Sequence, residues 1–390
     1  MKNAAPPQMI ESRHLLSHLI SQGYNFFAGV PCSDLGGLFE ALAEQSDVIS
    51  ITATSEGEAL SLATGAYLAG RKPCVLCQNS GFGNLINPLM THCSPQEIPI
   101  LIVMSWRGHP DIVDEPQHRI TGAAVEPMIE QMGYEYCILR TDNFLAVEKR
   151  LEQMSAECRQ PYFMLVPPGT LSQASTRRSH AVRKKPAVSA YHPKENTGTK
   201  LPTRTEAIEK LVNHLSSDDI LVSSVGFNSR TVLNLADRDL NYYVPGAMGF
   251  ASAIGLGIAI CQPNQNVIVL DGDGSAIMHM GNLVSIGAQS PRNLTYLVLN
   301  NGVHESTGGQ PAPSTQVDFK GIAIACGFEV LESIECMLRR TPTLAEQNNS
   351  RPRFIEVKTE LDPDRKPPRP GQKPSFFTQR FRAALERYPK

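Results

Sequence analysis

A chain of 390 residues with 41% hydrophobic and 19% charged content has room for one large or two medium globular domains. Its net charge of −2 carries no polyanion-binding signature, and no apolar run nears the ~20 residues of a membrane span, so neither nucleic acid nor membrane is an expected partner. Nine scattered cysteines, and an N-terminus without an apolar core, fit a reduced, cytoplasmic setting.

In chain order, a helix is expected over residues 11–20, then a strand at 25–27 running to Gly29. Strand-like 48–52 leads into Ser55-Glu56-Gly57-Glu58, then a helix to residue 69. Ser55 and Glu58 have capping-box spacing, which gives Glu58 a structural job and leaves Glu56 without one. The segment KPCVLCQN reads as a buried strand, so Cys74-x-x-Cys77 is taken as structural and not as half a zinc site. Strand-like 100–104 ends just before Trp106-Arg107-Gly108. Residues 168–202 are rich in Pro, Ser and Thr, carry seven Lys/Arg against the single Glu195, and read as a basic flexible linker.

The two flanks repeat one another in pattern. Helix-like 207–215 and strand-like 220–224 match the start of the first half, KPCVLCQN matches QNVIVLDG, and IPILIVMS matches LTYLVLNN. Each half alternates helix and strand, which predicts two doubly wound parallel-sheet α/β domains, 1–167 and 203–390, the second ending in a C-terminal tail, with no third domain between them. A glycine-rich passage from Pro245 to Gly257, PGAMGFASAIGLG, implies backbone packed closely against a helix or a ligand.

The most specific pattern is Gly272-Asp273-Gly274-Ser275, followed after residues 275–299 by Asn300-Asn301. Apolar runs at 267–270 and 294–299 flank a helix-like 276–288, so the segment reads as one βαβ unit. Such a crossover makes the strands parallel and sets Asp273 and Asn301 at the same sheet edge. A carboxylate, an amide oxygen and loosened backbone suit Mg²⁺, which keeps few protein ligands and takes the rest from a diphosphate and water.

Together these motifs resemble the thiamine-diphosphate enzymes, and within them the two-domain phosphonopyruvate decarboxylases, with the sulfopyruvate decarboxylases as near cousins. Residues 29–33, 78–81, 106–108, 114–118 and 306–310 carry the narrower likeness. Asn300 stands where that branch often has Asp.

The resemblance implies thiamine diphosphate as cofactor, with Mg²⁺ bound by Asp273, Asn301 and the Val303 carbonyl. It implies that Gly272, Gly274 and Ser275 face the phosphates, that the Gly246 carbonyl receives the aminopyrimidine amine, and that Met248 bends the cofactor. Glu56 would be the catalytic carboxyl at the pyrimidine ring nitrogen. Ser33, Asn79, Ser80, Arg107 and His118 would bind the substrate phosphonate, with Arg107 foremost because its fork binds such anions bidentately. His304 and Glu305 become candidate proton donors. The implied partners are a 2-oxo acid, phosphonopyruvate or its sulfonate analogue, and a second copy of the chain, in a homodimer or larger homo-oligomer with interfacial active sites.

Overall fold

Alternating helices and short, mostly apolar strands build two compact units in the computed structural model, the first carrying the strands that precede residue 174 and the second those that follow residue 199. The structure describes residues 9–173, 200–338, 351–362 and 366–388. Most of the expected linker therefore lies outside the described residues. Its two ends do not: Leu171 bridges Ile10, and Thr203 bridges Glu360.

The first unit holds β1 (Phe26–Gly29), β2 (Ile49–Thr52), β3 (Pro73–Gln78), β4 (Leu101–Ser105), β5 (Tyr136–Ile138) and β6 (Tyr162–Val166). They form one parallel sheet in the order β2-β1-β3-β4-β6-β5. The second unit holds β7 (Ile220–Ser223), β8 (Asn241–Tyr243), β9 (Val267–Gly272), β10 (Leu294–Asn300), a small antiparallel hairpin of β11 (Val303–His304) and β12 (Gln310–Pro311), β13 (Glu329–Leu331) and β14 (Arg353–Lys358). Its main sheet is also parallel and runs β8-β7-β9-β10-β14-β13. Pairing β1 with β7, β2 with β8, β3 with β9, β4 with β10, β5 with β13 and β6 with β14 reproduces one strand order in both units. The repeat expected from the sequence is thus a repeat of topology, two doubly wound α/β sheets.

The central strands β3, β4, β6, β9 and β10 are buried almost end to end, because helices cover both faces of a parallel sheet. Cys74 and Cys77 lie in β3 and are fully buried. Burial pushes the Cys77 thiol well above its ordinary value, with the nearby Glu56 carboxylate the next cause. None of the nine cysteines is in a disulfide. Among the described residues no helix is long and apolar enough to cross a membrane.

Three expectations change. The helix expected at 276–288 is two, Asp273–Met278 and Asn282–Gln289. His279 leaves helical geometry at the break and stacks on Phe250, with ring centroids 3.9 Å apart. The side chain of Asn282 turns inward to donate to the Gly249 carbonyl at 2.9 Å and to Ser252 Oγ at 3.0 Å. The capping box at Ser55 is half made: Glu58 N–H donates to Ser55 Oγ at 3.2 Å, but the Glu58 carboxylate accepts from the backbone and hydroxyl of Thr54, at 2.5 and 2.6 Å. The C-terminal segment, expected as a tail, contains the helix Pro374–Leu385. It docks on β8 through Phe377 on Tyr243 and Phe381 on Tyr242, with centroids 5.3 and 5.4 Å apart.

The glycine-rich passage packs closely against protein at Gly249 and again at Gly255. Gly255, in the buried helix Ala251–Cys261, lies where an added Cβ would come within 2.2 Å of Val269 Cγ2 in β9. Gly255→Val is therefore expected to cost about 1–3 kcal/mol through overpacking. A lowered thermal unfolding midpoint checks it, and an unchanged midpoint would show that the helix can lift off β9 freely.

Candidate active site

In the first unit, β2 delivers the chain to the helix Glu56–Leu68, whose first residue is buried although it is a glutamate. Asn84 Nδ2 donates to Glu56 Oε2 at 2.7 Å. Oε1 has no hydrogen-bond partner among the described residues and lies against Gly81, where a Cβ would sit 2.1 Å from the carboxyl carbon and from Oε1. A bare backbone at Gly81 thus makes the slot for the carboxyl. Asn84 and Gly81 had no assigned role in the sequence; only the QNSG run hinted at the second.

The ends of β1, β3 and β4 gather most of the expected anion-binding residues. Asn79 spends its amide on the backbone of Arg107, donating to the carbonyl at 2.8 Å and accepting from N–H at 2.9 Å. It positions Arg107 and has little left for a ligand. The Arg107 guanidinium is bidentate on Asp114, with Nε donating to Oδ2 at 2.7 Å and Nη2 to Oδ1, and its Nε lies 3.8 Å from Asp34. Nη1 and the outer Nη2 hydrogen remain. Gly108 has φ +69, and a Cβ there would meet the His118 carbonyl at 2.0 Å, so loop 109–118 closes tightly over the strand end. His118 Nδ1 is buried without a hydrogen-bond partner among the described residues. Ser33 is exposed at the start of the 3₁₀ turn Ser33–Leu35, and the exposed Ser80 accepts from Gln78 Nε2 at 2.6 Å. Asp34, which the sequence did not single out, and Asp114, which opens the 114–118 motif but had no role assigned to it, belong to the same cluster. Burial raises Asp34, with Arg107 opposing. The hydrogen bond from Arg107 is the main cause holding Asp114 far below the usual carboxylate range.

In the second unit, β9 and β10 pair in parallel from Val267↔Leu294 to Gly272↔Leu299. Asp273 and Asn301 leave the same sheet edge, and Gly302 N–H donates to Asp273 Oδ2 at 3.1 Å, tying the two motifs together. Ser314 Oγ donates to the same oxygen. Asp273 Oδ1 has no hydrogen-bond partner among the described residues. Asn301 Oδ1 accepts from Val303 N–H at 3.1 Å and keeps a lone pair. Val303 faces Pro311 across the β11–β12 hairpin. Ala312 N–H bonds the neighbouring Gly302 carbonyl instead, at 2.8 Å. By the alternation of an antiparallel ladder, the Val303 carbonyl is left outside it. Three oxygens with spare acceptor capacity on a glycine-jointed backbone fit a hard divalent cation that also holds a diphosphate.

Asn300, the other of the pair, donates to Glu356 at 2.8 Å. Ser275 Oγ accepts from Gly249 N–H at 3.0 Å and bonds the fully buried Asp271, so it couples the GDG turn to the segment bearing Gly246 and Met248. Both of these lie part-exposed. Gly249 has φ +91, and a Cβ there would meet His279 at 2.5 Å. The His304 ring lies over Gly274, where a Cβ would come within 2.5 Å of Cε1. Glu305 differs from expectation: it is not a free acid but is paired with Arg204 at 2.6 Å.

Two expected outcomes follow. Gly81→Ala forces Glu56 out of its slot and is expected to cut turnover about 100-fold, the scale of a 1 Å misplacement, with the fold intact by circular dichroism. For Asp114 the folded pKa is depressed, so its pairing with Arg107 contributes fully above the unfolded value of about 3.9 and is lost as pH falls below it. Protease sensitivity of loop 109–118 is expected to stay flat from about pH 5 upward and to rise only below about pH 4; a rise near neutrality would contradict the pairing.

Comparison with known proteins agrees with this geometry. Residues 11–127 match the family described as "Thiamine pyrophosphate enzyme, N-terminal TPP binding domain", and residues 225–357 match its C-terminal TPP binding domain. The chain is 37% identical over 327 residues to a phosphonopyruvate decarboxylase of Streptomyces viridochromogenes, covering 83% of this chain and 82% of that one. It is 32% identical over 314 residues to a sulfopyruvate decarboxylase of Methanosarcina acetivorans, covering 79% and 80%. The benzoylformate decarboxylase of Polynucleobacter necessarius shares the fold, with TM-score 0.68 at 14% identity over 90% of this chain and 99% of that one. The chain belongs to the thiamine-diphosphate-dependent decarboxylases, in the branch that includes the phosphonopyruvate decarboxylases.

Proposed function

We propose that the protein decarboxylates 3-phosphonopyruvate to phosphonoacetaldehyde and CO₂, using thiamine diphosphate and Mg²⁺, as a step in making phosphonate natural products. The observation that carries the substrate is the likeness to a phosphonopyruvate decarboxylase at 37% identity over 83% of the chain, against 32% for the sulfopyruvate enzyme.

Bound thiamine diphosphate supplies the nucleophilic carbon and the electron sink that a 2-oxo acid needs to lose CO₂. The rest falls to the chain. Asp273 Oδ1, Asn301 Oδ1 and the Val303 carbonyl hold Mg²⁺, while Gly272, Gly274 and Ser275 let the turn approach the diphosphate. The Gly246 carbonyl and Met248 seat the pyrimidine. Glu56 holds a proton on Oε1 for the pyrimidine ring nitrogen; Asn84, donating to Oε2, fixes which oxygen faces it. Arg107 keeps its outer N–H groups for the phosphonate while Asp114 locks its fork, and His118, Ser33 and Ser80 add donors around it. His304, whose ring lies over Gly274, returns a proton to the product. Cytoplasmic location and a homodimer or larger assembly complete the reading, and light scattering measures the assembly.

CO₂ release from phosphonopyruvate, sulfopyruvate and pyruvate, each with thiamine diphosphate and Mg²⁺, tests the assignment. Phosphonopyruvate is expected to give the highest kcat/KM; a preference for sulfopyruvate would overturn the substrate. Glu56→Gln is expected to lose at least about 100-fold in kcat while still binding cofactor, and wild-type turnover would sink the proton role. Arg107→Lys is expected to raise KM for phosphonopyruvate about tenfold, because a point charge replaces a fork.

A further inference from the structure

A side-chain amide has two ends of nearly equal size, and only its oxygen can ligate a cation. Something must therefore choose which end Asn301 presents. Its Nδ2 donates to Glu305 Oε2 at 3.1 Å, and a carboxylate oxygen there can only accept. Glu305 is itself held at both oxygens. Oε1 accepts from Asp362 N–H at 3.1 Å, and Oε2 faces Arg204 Nη1 at 2.6 Å. Arg204 is only 3% exposed. Its guanidinium carbon stands 4.9 Å from the Phe227 ring centre, and its second terminal nitrogen is 3.4 Å from Asp362 Oδ2, an oxygen that Thr205 also bonds. The carboxylate that touches Asn301 is thus anchored to a buried, stacked guanidinium.

We propose that Arg204 and Glu305 are a positioning pair that turns the Asn301 oxygen toward the divalent cation. The proposal rests on the Mg²⁺ reading above and assigns to Glu305 a role other than acid. Neither residue touches the cation; they act through Asn301, as hydrogen-bonded outer partners do in other metal sites. Glu305→Gln breaks the choice, since its NH₂ must face either Arg204 and Asn301 or the Asp362 N–H, setting donor against donor in each orientation.

The test is calorimetric titration of Mg²⁺ into the full-length protein at saturating thiamine diphosphate, alongside turnover at saturating Mg²⁺. Glu305→Gln is expected to weaken Mg²⁺ binding about 10–100-fold, Glu305→Asp to recover part of it, and Arg204→Lys to fall between. Turnover at saturating Mg²⁺ is expected to stay within a few-fold of wild type, and circular dichroism at the titration temperature to show Glu305→Gln still folded, although its metal-free unfolding midpoint falls because the buried Arg204 loses a carboxylate partner. Wild-type Mg²⁺ affinity in Glu305→Gln would overturn the pair, and so would lost turnover at unchanged affinity, the mark of a proton donor. If wild-type cofactor binding survives removal of Mg²⁺ by chelation, the metal reading fails first and the pair with it.

Discussion

The parallel pairing of β9 with β10 is the constraint on which the second unit's chemistry depends. Its register ends with Gly272 beside Leu299, so the next residues of both strands emerge at one edge. A single hydrogen bond, Gly302 N–H to Asp273 Oδ2, then closes the gap between two motifs 29 positions apart in sequence. Everything around it serves that junction. Gly302 turns at φ +73, Ser314 caps the same carboxylate oxygen, and Ser275 ties the turn to the glycine-rich segment. The outcome is a set of oxygens with acceptor capacity to spare, on backbone that cannot easily be pulled apart.

The first unit repeats the topology and puts it to a different use. Its β3 and β4 correspond to β9 and β10, yet their ends carry Asn79 and Arg107 instead of Asp273 and Asn301. The same strand-edge geometry that builds an oxygen-rich site in one unit builds a charged loop cluster in the other. Asn79 gripping the Arg107 backbone and Gly302 gripping Asp273 are equivalent devices: each is a hydrogen bond between the segments that follow two neighbouring central strands. A shared sheet thus supports unlike chemistry because only the residues past the strand ends differ.

Glycine does much of the precise work, and for a steric reason each time. Gly81 leaves room for the Glu56 carboxyl, Gly274 for the His304 ring, and Gly249 for His279. In each case a carboxyl group or an imidazole ring occupies the volume a Cβ would need. The vacancy at Gly81 explains how the carboxyl of Glu56 can be buried at the start of a helix, where glutamates are ordinarily solvated.

Local pattern determined much of this protein. Apolar runs bounded by turn residues marked the central strands, and the GDG and NN spacing marked one βαβ unit, because strand burial and crossover handedness are written in short segments. Glu56 stood out because Glu58 already had a capping task. What only the tertiary structure decided lies in contacts between segments far apart in the chain. The break at His279 follows from stacking on Phe250, the helix Pro374–Leu385 from docking on β8, and the ion pair between Glu305 and Arg204 from residues 101 positions apart meeting at one sheet edge. The engagement of Asn79 by the Arg107 backbone, 28 positions away, is of the same kind. Sequence spacing reports which groups can reach a strand end; which hydrogen bonds they make there depends on what else arrives.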